Sequence, residues 1–485
     1  MPDSLHAVSC SIPTMADVIG YEEKSPVIMR NIVSGYPRFV THRLLGEIAA
    51  EWTRRHRLEK RVLFLTPSAA AARELRQFAG PGGETLVEAT IHGVHYPVGS
   101  PESGRAAAFA QHTGLLISSR RAEDYLLANG LAGKRQAETR AEESGAPAAI
   151  ASRLAGLFGT ETGDVVTASS GMSAFYALFR TLGDHQAGRG RNLWIQLGWL
   201  YLDTIEILRK FTGGESHRLF LPNVFDLDAV RGALCDHGRR VAGIVTELPT
   251  NPLIETPDLA ALGDLARRHG VPLIVDPTLA SPRNVRVFPE ADAAVNSLTK
   301  YAANEGDVLG GAVVVNRDSP WAEVIAEGTA RRAEPLHAAD AARLAHEMEA
   351  YEATVDRMNA NTLAVAEFLQ NHPATRRLHW ACSPENRTNY ERVQRRPGSP
   401  GCMMTLELRG PLADFYDRVN IPKGPSFGTR FTLLCPFMYL AHYDLVSTEP
   451  GRRYLRSLGL EPDLIRISIG TEDPADIIAA FDEAL

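Results

Sequence analysis

Long apolar runs, dense basic clusters and paired cysteines are all scarce in this chain of 485 residues, and each shortage removes a class of function. No apolar stretch is long enough to span a bilayer, and Met1 to Ala16 lacks the basic and apolar regions of a secretory signal, so a cytoplasmic location is expected. Acids outnumber bases, 58 Asp and Glu against 51 Lys and Arg, for a net charge of -7. Nucleic acid and membrane are therefore not expected partners. The five cysteines, Cys10, Cys235, Cys382, Cys402 and Cys435, are odd in number and free of CxxC spacing. That pattern supports neither a disulfide frame nor a metal site.

What is present suits a large enzyme with two or three domains. Residues 1–45 mix short apolar pieces with Pro13, Gly20, Pro26, Gly35 and Pro37, which reads as an arm suited to wrapping a neighbouring subunit. Residues 46–320 read as a large domain with an inserted segment at 80–150. In it Arg61 to Thr66 is predicted as a strand followed by a helix over Ser68 to Phe78, Gly80 to Gly104 as loops, and Glu123 to Phe158 as two helices. From Gly163 to Val315 strand and helix patterns alternate, which predicts a mostly parallel sheet. Val241 to Thr246 is one such strand, and Asp258 caps a helix carrying Leu259, Leu262 and Leu265 that stops at Gly270. After Pro320 a long helical pattern runs to about Gln370, and 321–485 reads as a smaller α+β domain.

The chemistry concentrates at Asp276 and Lys300. Val271-Pro272-Leu273-Ile274-Val275 reads as a buried strand, and its carboxyl end is where α/β proteins gather ligand contacts. Downstream lies Ser297-Leu298-Thr299-Lys300-Tyr301. An acid for a pyridinium nitrogen, a lysine for a Schiff base and two hydroxyls for a phosphate together describe a site for pyridoxal 5'-phosphate (PLP). Alone, Asp276 reads equally well as a helix cap and Lys300 as a surface charge; their conjunction favours the cofactor. Ser170-Gly171-Met172 precedes a helical run, so backbone N–H groups there can approach a phosphate at the positive end of a helix, although the tripeptide alone also reads as an ordinary turn.

Pro249-Thr250-Asn251-Pro252, Asp276, the Ser297 to Tyr301 run and Ile465-Arg466-Ile467-Ser468-Ile469-Gly470, taken in this order, resemble the Cys/Met-metabolism family of fold-type I PLP enzymes over residues 30 to 480. Its members include cystathionine γ-synthases, cystathionine γ-lyases and O-acylhomoserine sulfhydrylases. The runs Gly35 to Phe39 and Gly424 to Thr429 are most similar to the fungal type of cystathionine γ-synthase. The resemblance implies that Tyr201 stacks on the cofactor ring and assists proton transfer, that Asn251 contacts the 3' oxygen, that Arg466 grips the substrate α-carboxylate, and that the Ser426 backbone flanks the same substrate. It also implies that Tyr36 and Arg38 reach the phosphate in an adjacent subunit, so that a homodimer is the active unit and a homotetramer the usual assembly.

Three departures bear on substrate. Pro277 follows Asp276, Ala302-Ala303-Asn304-Glu305 follows Tyr301 in the lysine loop, and Arg430-Phe431 stands where the family usually has a valine and a glutamate that helps bind the distal part of cystathionine or cysteine. Phe431 cannot accept a hydrogen bond from an ammonium group but can line an apolar pocket. The expected activity is γ-elimination or γ-replacement on an L-amino acid through a quinonoid and a vinylglycine-type intermediate, in specialised biosynthesis. Loss of a halide from an unsaturated amino acid to give an alkyne belongs to the same chemistry. The alternatives are a synthase or sulfhydrylase of methionine biosynthesis, or a non-catalytic partner subunit that keeps the fold.

Overall fold

A computed structural model of the chain describes residues 2–36 and 39–485. The insertion departs from the sequence expectation. β1 (Arg61–Thr66), β2 (Glu84–Glu88) and β3 (Ile91–Pro97) form a separate antiparallel sheet in the order β1-β3-β2, so Gly80 to Gly104 is not simply loops. Two of the glycines that suggested loops serve packing here: a Cβ on Gly83 would lie 2.4 Å from the Tyr96 side chain and one on Gly93 2.5 Å from the Trp52 ring. The two helices expected downstream are Ser119–Ala128 and Ala146–Phe158.

The central sheet holds seven strands. In chain order these are β4 (Val165–Ala168), β5 (Leu193–Leu197), β6 (Arg218–Leu221), β7 (Val241–Glu247), β8 (Leu273–Asp276), β9 (Ala293–Ser297) and β10 (Gly311–Val315), arranged β4-β10-β9-β8-β7-β5-β6. Every residue of β5, β7 and β10 is buried, as helices on both faces require. Neighbours from β9 to β6 run parallel, whereas β10 runs antiparallel to both β9 and β4. The reversal has a local cause. The link between β9 and β10 contains only a 3-10 turn, Tyr301–Ala303, where a parallel return needs a long crossover. Asp258 caps the helix Leu259–Arg268 as expected, accepting from the Ala261 amide.

The long helical pattern after Pro320 is three helices, Ala322–Arg332, Ala338–Glu347 and Tyr351–Asn371. The first packs against Thr181, which a Cβ on Gly328 would meet at 2.2 Å. Beyond it, β11 (Thr375–Trp380), β12 (Met403–Leu408), β13 (Leu433–Cys435) and β14 (Ile465–Ser468) form an antiparallel sheet in the order β11-β12-β14-β13. The N-terminal arm crosses its own chain, with Val8 N–H donating to Gly306 O and Ile12 N–H to Lys423 O, both at 3.0 Å. Among the described residues no helix is long and apolar enough to cross a membrane.

Candidate active site

The carboxyl ends of β4, β5, β7, β8 and β9 converge on one cavity, and the C-terminal antiparallel sheet closes it from β13 and β14. Tyr36, Ser170, Gly171, Met172, Tyr201, Asn251, Asp276, Ser297, Thr299, Lys300, Ser426 and Arg466 all line it. Residues spread over some 430 positions of sequence are thus brought together by the fold. Arg38 lies outside the described residues.

One end of the cavity is shaped for an anion. Ser170 caps the helix Gly171–Ala187, accepting from Ser173 N–H at 3.0 Å. A Cβ on Gly171 would lie 2.8 Å from Ser297 Cβ, so only glycine lets this helix start meet β9. Open backbone N–H groups there sit at the positive end of a helical dipole, beside the Ser297 hydroxyl. The Thr299 side chain is turned into the loop, where its oxygen accepts from Gly310 N–H at 3.1 Å. Gly171→Ala is therefore expected to weaken cofactor affinity by about tenfold or more, an effect of the size of one lost charge-assisted hydrogen bond. Equilibrium dialysis against PLP measures it, and unchanged affinity contradicts the assignment.

Asp276 also lines the cavity, and its carboxylate accepts from Thr278 N–H at 2.8 Å. Burial raises its pKa to about 6 against the pull of the Thr278 bonds and the Lys300 charge. Thr278 also accepts from Ser297 N–H at 2.8 Å, tying the acid to the anion end. Lys300 donates to the Tyr36 hydroxyl and, at 3.3 Å, to Ser426 Oγ, while Tyr36 and Ser426 share a 2.8 Å hydrogen bond. Its ammonium lies 4.6 and 4.8 Å from the Tyr36 and Phe427 ring centres. Ser426 has φ of 119°, a strained value for a side-chain-bearing residue and one that clusters at functional sites.

Tyr36 stands against Lys300 of its own chain, and the arm that carries it crosses that chain at Val8 and Ile12. Phe431 is not among the lining residues: its carbonyl accepts from Thr429, and the next residue, Thr432, is held by Glu472. The apolar wall is instead Phe427, Phe437, Leu440 and Ala441.

Arg466 is buried on β14. It donates to Ser426 O at 2.9 Å and to Asn251 Oδ1 at 3.3 Å, with its guanidinium 4.8 Å from the Phe437 ring centre and 5.2 Å from that of Phe427. Among the described residues no acid forms an ion pair with it. A delocalised cation kept dry by rings and lacking a carboxylate partner is suited to an incoming carboxylate.

Sequence reasoning missed Glu247. It ends β7 in register with Asp276 on β8, and its carboxylate accepts from the Tyr201 N–H at 2.5 Å. Burial, then the neighbouring Asp276, raises its pKa well above the usual carboxylate range despite hydrogen bonds from the Tyr201 and Asn251 backbones. Glu247 thus holds in place the two residues expected to face the cofactor. Its signal was present: an acid one strand over from Asp276, at the same strand end.

Residues 142–485 match the family described as Cys/Met metabolism PLP-dependent enzyme. The chain belongs to this family. Its cofactor is pyridoxal 5'-phosphate, and the helix start cleared by Gly171, the buried acid and the lysine amine fit that group. Among curated relatives, the L-2-amino-4-chloropent-4-enoate dechlorinase/desaturase of Streptantibioticus cattleyicolor is 40% identical over all of this chain and 97% of its own length. The cystathionine gamma-synthase of Neurospora crassa is 26% identical over all of this chain and 96% of its own. Among solved structures, cystathionine gamma-lyase from Lactobacillus plantarum, complexed with L-serine, shares the fold with a TM-score of 0.60 at 23% identity, over 70% of this chain and 85% of that one.

Proposed function

We propose that this family member eliminates a leaving group from Cγ of a small L-amino acid, and that the leaving group is a halide on an unsaturated Cγ. The observation that carries this reading is the wall of the cavity. Among the described lining residues the charged groups are Glu247, Asp276, Lys300 and Arg466, each already engaged or assigned, and the remainder near Arg466 is Phe427, Phe437, Leu440 and Ala441. The distal zwitterion of cystathionine would lose its hydration there without a partner, at a cost of several kcal/mol. A chlorovinyl side chain loses nothing. The name of the Streptantibioticus relative points the same way.

When bound, PLP supplies an electron sink for charge that forms at Cα. Gly171, Met172 and Ser297 would hold the phosphate, Tyr201 would face the ring, and Asp276, whose pKa burial raises, would hold the proton of the ring nitrogen. Arg466 fixes the α-carboxylate and so the direction of the Cα–H bond. Lys300, once its amine is free, takes the proton from Cα and then from Cβ, with the Tyr36 hydroxyl within reach as a relay. The halide leaves with the bonding pair, a proton returns to Cα, and transfer of another from the terminal carbon to Cβ leaves the alkyne, for a net loss of one proton and one chloride; Phe427 and Phe437 keep water from the site.

The test is a proton NMR time course in D2O with L-2-amino-4-chloropent-4-enoate, alongside a chloride assay. Stoichiometric chloride and an alkyne product support the reading. It fails if an O-acyl-L-homoserine with L-cysteine gives cystathionine at a higher kcat/KM.

A further inference from the structure

The apolar wall has an anchor outside the cavity. Phe437, Leu440 and Ala441 lie on the short helix Phe437–Ala441, and the residue that ends it is His442. His442 is buried, and its Nε2 accepts a hydrogen bond of 3.0 Å from the Trp199 indole N–H. The two rings meet edge to face, 4.9 Å apart at 76°. Trp199 is itself braced edge to face on Phe220 of β6, with 6.1 Å between ring centres. Two residues further along the chain stands Tyr201, which Glu247 holds by its backbone N–H. On the other side, Phe437 covers the Arg466 guanidinium at 4.8 Å. One hydrogen bond thus ties the Tyr201 turn to the segment that both covers Arg466 and forms the wall.

We infer that Trp199 and His442 are a positioning pair that fixes the Phe437–Ala441 wall and thereby sets the length of substrate side chain the site admits. This rests on the reading of that wall as the bed of an apolar side chain. Neither residue lines the cavity, so the pair acts through Leu440, Ala441 and Phe437 rather than by touching substrate. The acceptor persists at neutral pH, because burial pushes the His442 pKa down to about 4 and leaves Nε2 unprotonated. A small gap decides much in such a wall: one methylene in an apolar pocket is discriminated by about 10-fold to 200-fold.

The experiment uses the PLP-loaded enzyme and two amino acids without a leaving group, L-norvaline and its longer homologue L-norleucine. Binding is followed by cofactor absorbance, and Cα–H exchange in D2O by NMR. The wild type is expected to favour norvaline by about tenfold or more. Trp199→Phe, which keeps a ring but loses the N–H, and His442→Leu are expected to bring the ratio close to unity. His442→Gln, whose amide oxygen can accept from the indole, is expected to retain most of the preference. A wild type without preference overturns the inference, as does a ratio unchanged in Trp199→Phe and His442→Leu, or an equal loss in His442→Gln and His442→Leu. If Trp199→Phe does not fold, the two His442 variants decide alone. Because neither ligand can be eliminated, the ratio is independent of the proposed halide chemistry. A failed chloride assay with intact selectivity overturns only that chemistry.

Discussion

Lys300→Ala is expected to lower turnover by about 1000-fold or more and to abolish Cα–H exchange, while leaving the fold and non-covalent PLP binding in place. The loop does not depend on this side chain. Thr299 is fixed to Gly310, Tyr301 donates to Leu279 O at 2.7 Å, and with the ammonium gone Tyr36 and Ser426 still satisfy each other at 2.8 Å. What disappears is the only amine among the described lining residues. The loss also removes the positive charge that lowers the Asp276 pKa, so that acid should titrate above its present value of about 6. Two measurements check this. Borohydride treatment, which fixes the cofactor to the wild-type chain, should leave the variant's mass unchanged, and added methylamine should restore part of the exchange rate. Retained exchange without added amine would remove Lys300 from the chemistry altogether.

That result would test the part of the site most legible in the sequence. Asp276 and the Ser297 to Tyr301 run were readable because strand patterns place them: a wholly buried parallel strand shows as a continuous apolar run, and its far end is where an acid stands out. The central sheet was legible for the same reason, down to the Asp258 cap. β10 was not, because nothing in Gly311 to Val315 tells a parallel strand from an antiparallel one; direction is fixed by the short link before it. The insertion failed differently. Gly93 read as a loop residue, yet it is where a strand makes room for an indole, and local composition cannot reveal a contact with Trp52.

The walls of the cavity were the least legible part. Position 431 was matched to a family site by its place along the chain, but the pocket is lined by Phe427 and by a helix from further along, Phe437–Ala441. Side-chain direction in an irregular loop follows from its hydrogen bonds, here Thr429 to Phe431 O and Thr432 to Glu472, which sequence does not display. Glu247 escaped notice because its role depends on register across two strands.

Arg466→Lys carries the second large effect. The guanidinium donates in one direction to Ser426 O and in another to Asn251 Oδ1, and the two bonds hold it in a fixed plane between Phe427 and Phe437. An ammonium in the same place keeps the charge but not the parallel pair of donors, and its stronger hydration suits a dry, ring-lined slot poorly. A charge-assisted bond contributes about 1.5–3 kcal/mol, so kcat/KM should fall by roughly tenfold to 100-fold. The larger share should appear in KM, with a further loss in kcat because the Cα–H bond is no longer held in one direction. The measurement that isolates the carboxylate compares binding of an α-amino acid with that of the amine lacking its carboxyl group. In the wild type the carboxylate should contribute most of the affinity. In Arg466→Lys the amine should bind about as before while the amino acid weakens toward it. An amino acid that loses no more than the amine would mean that the carboxylate is held elsewhere in the cavity.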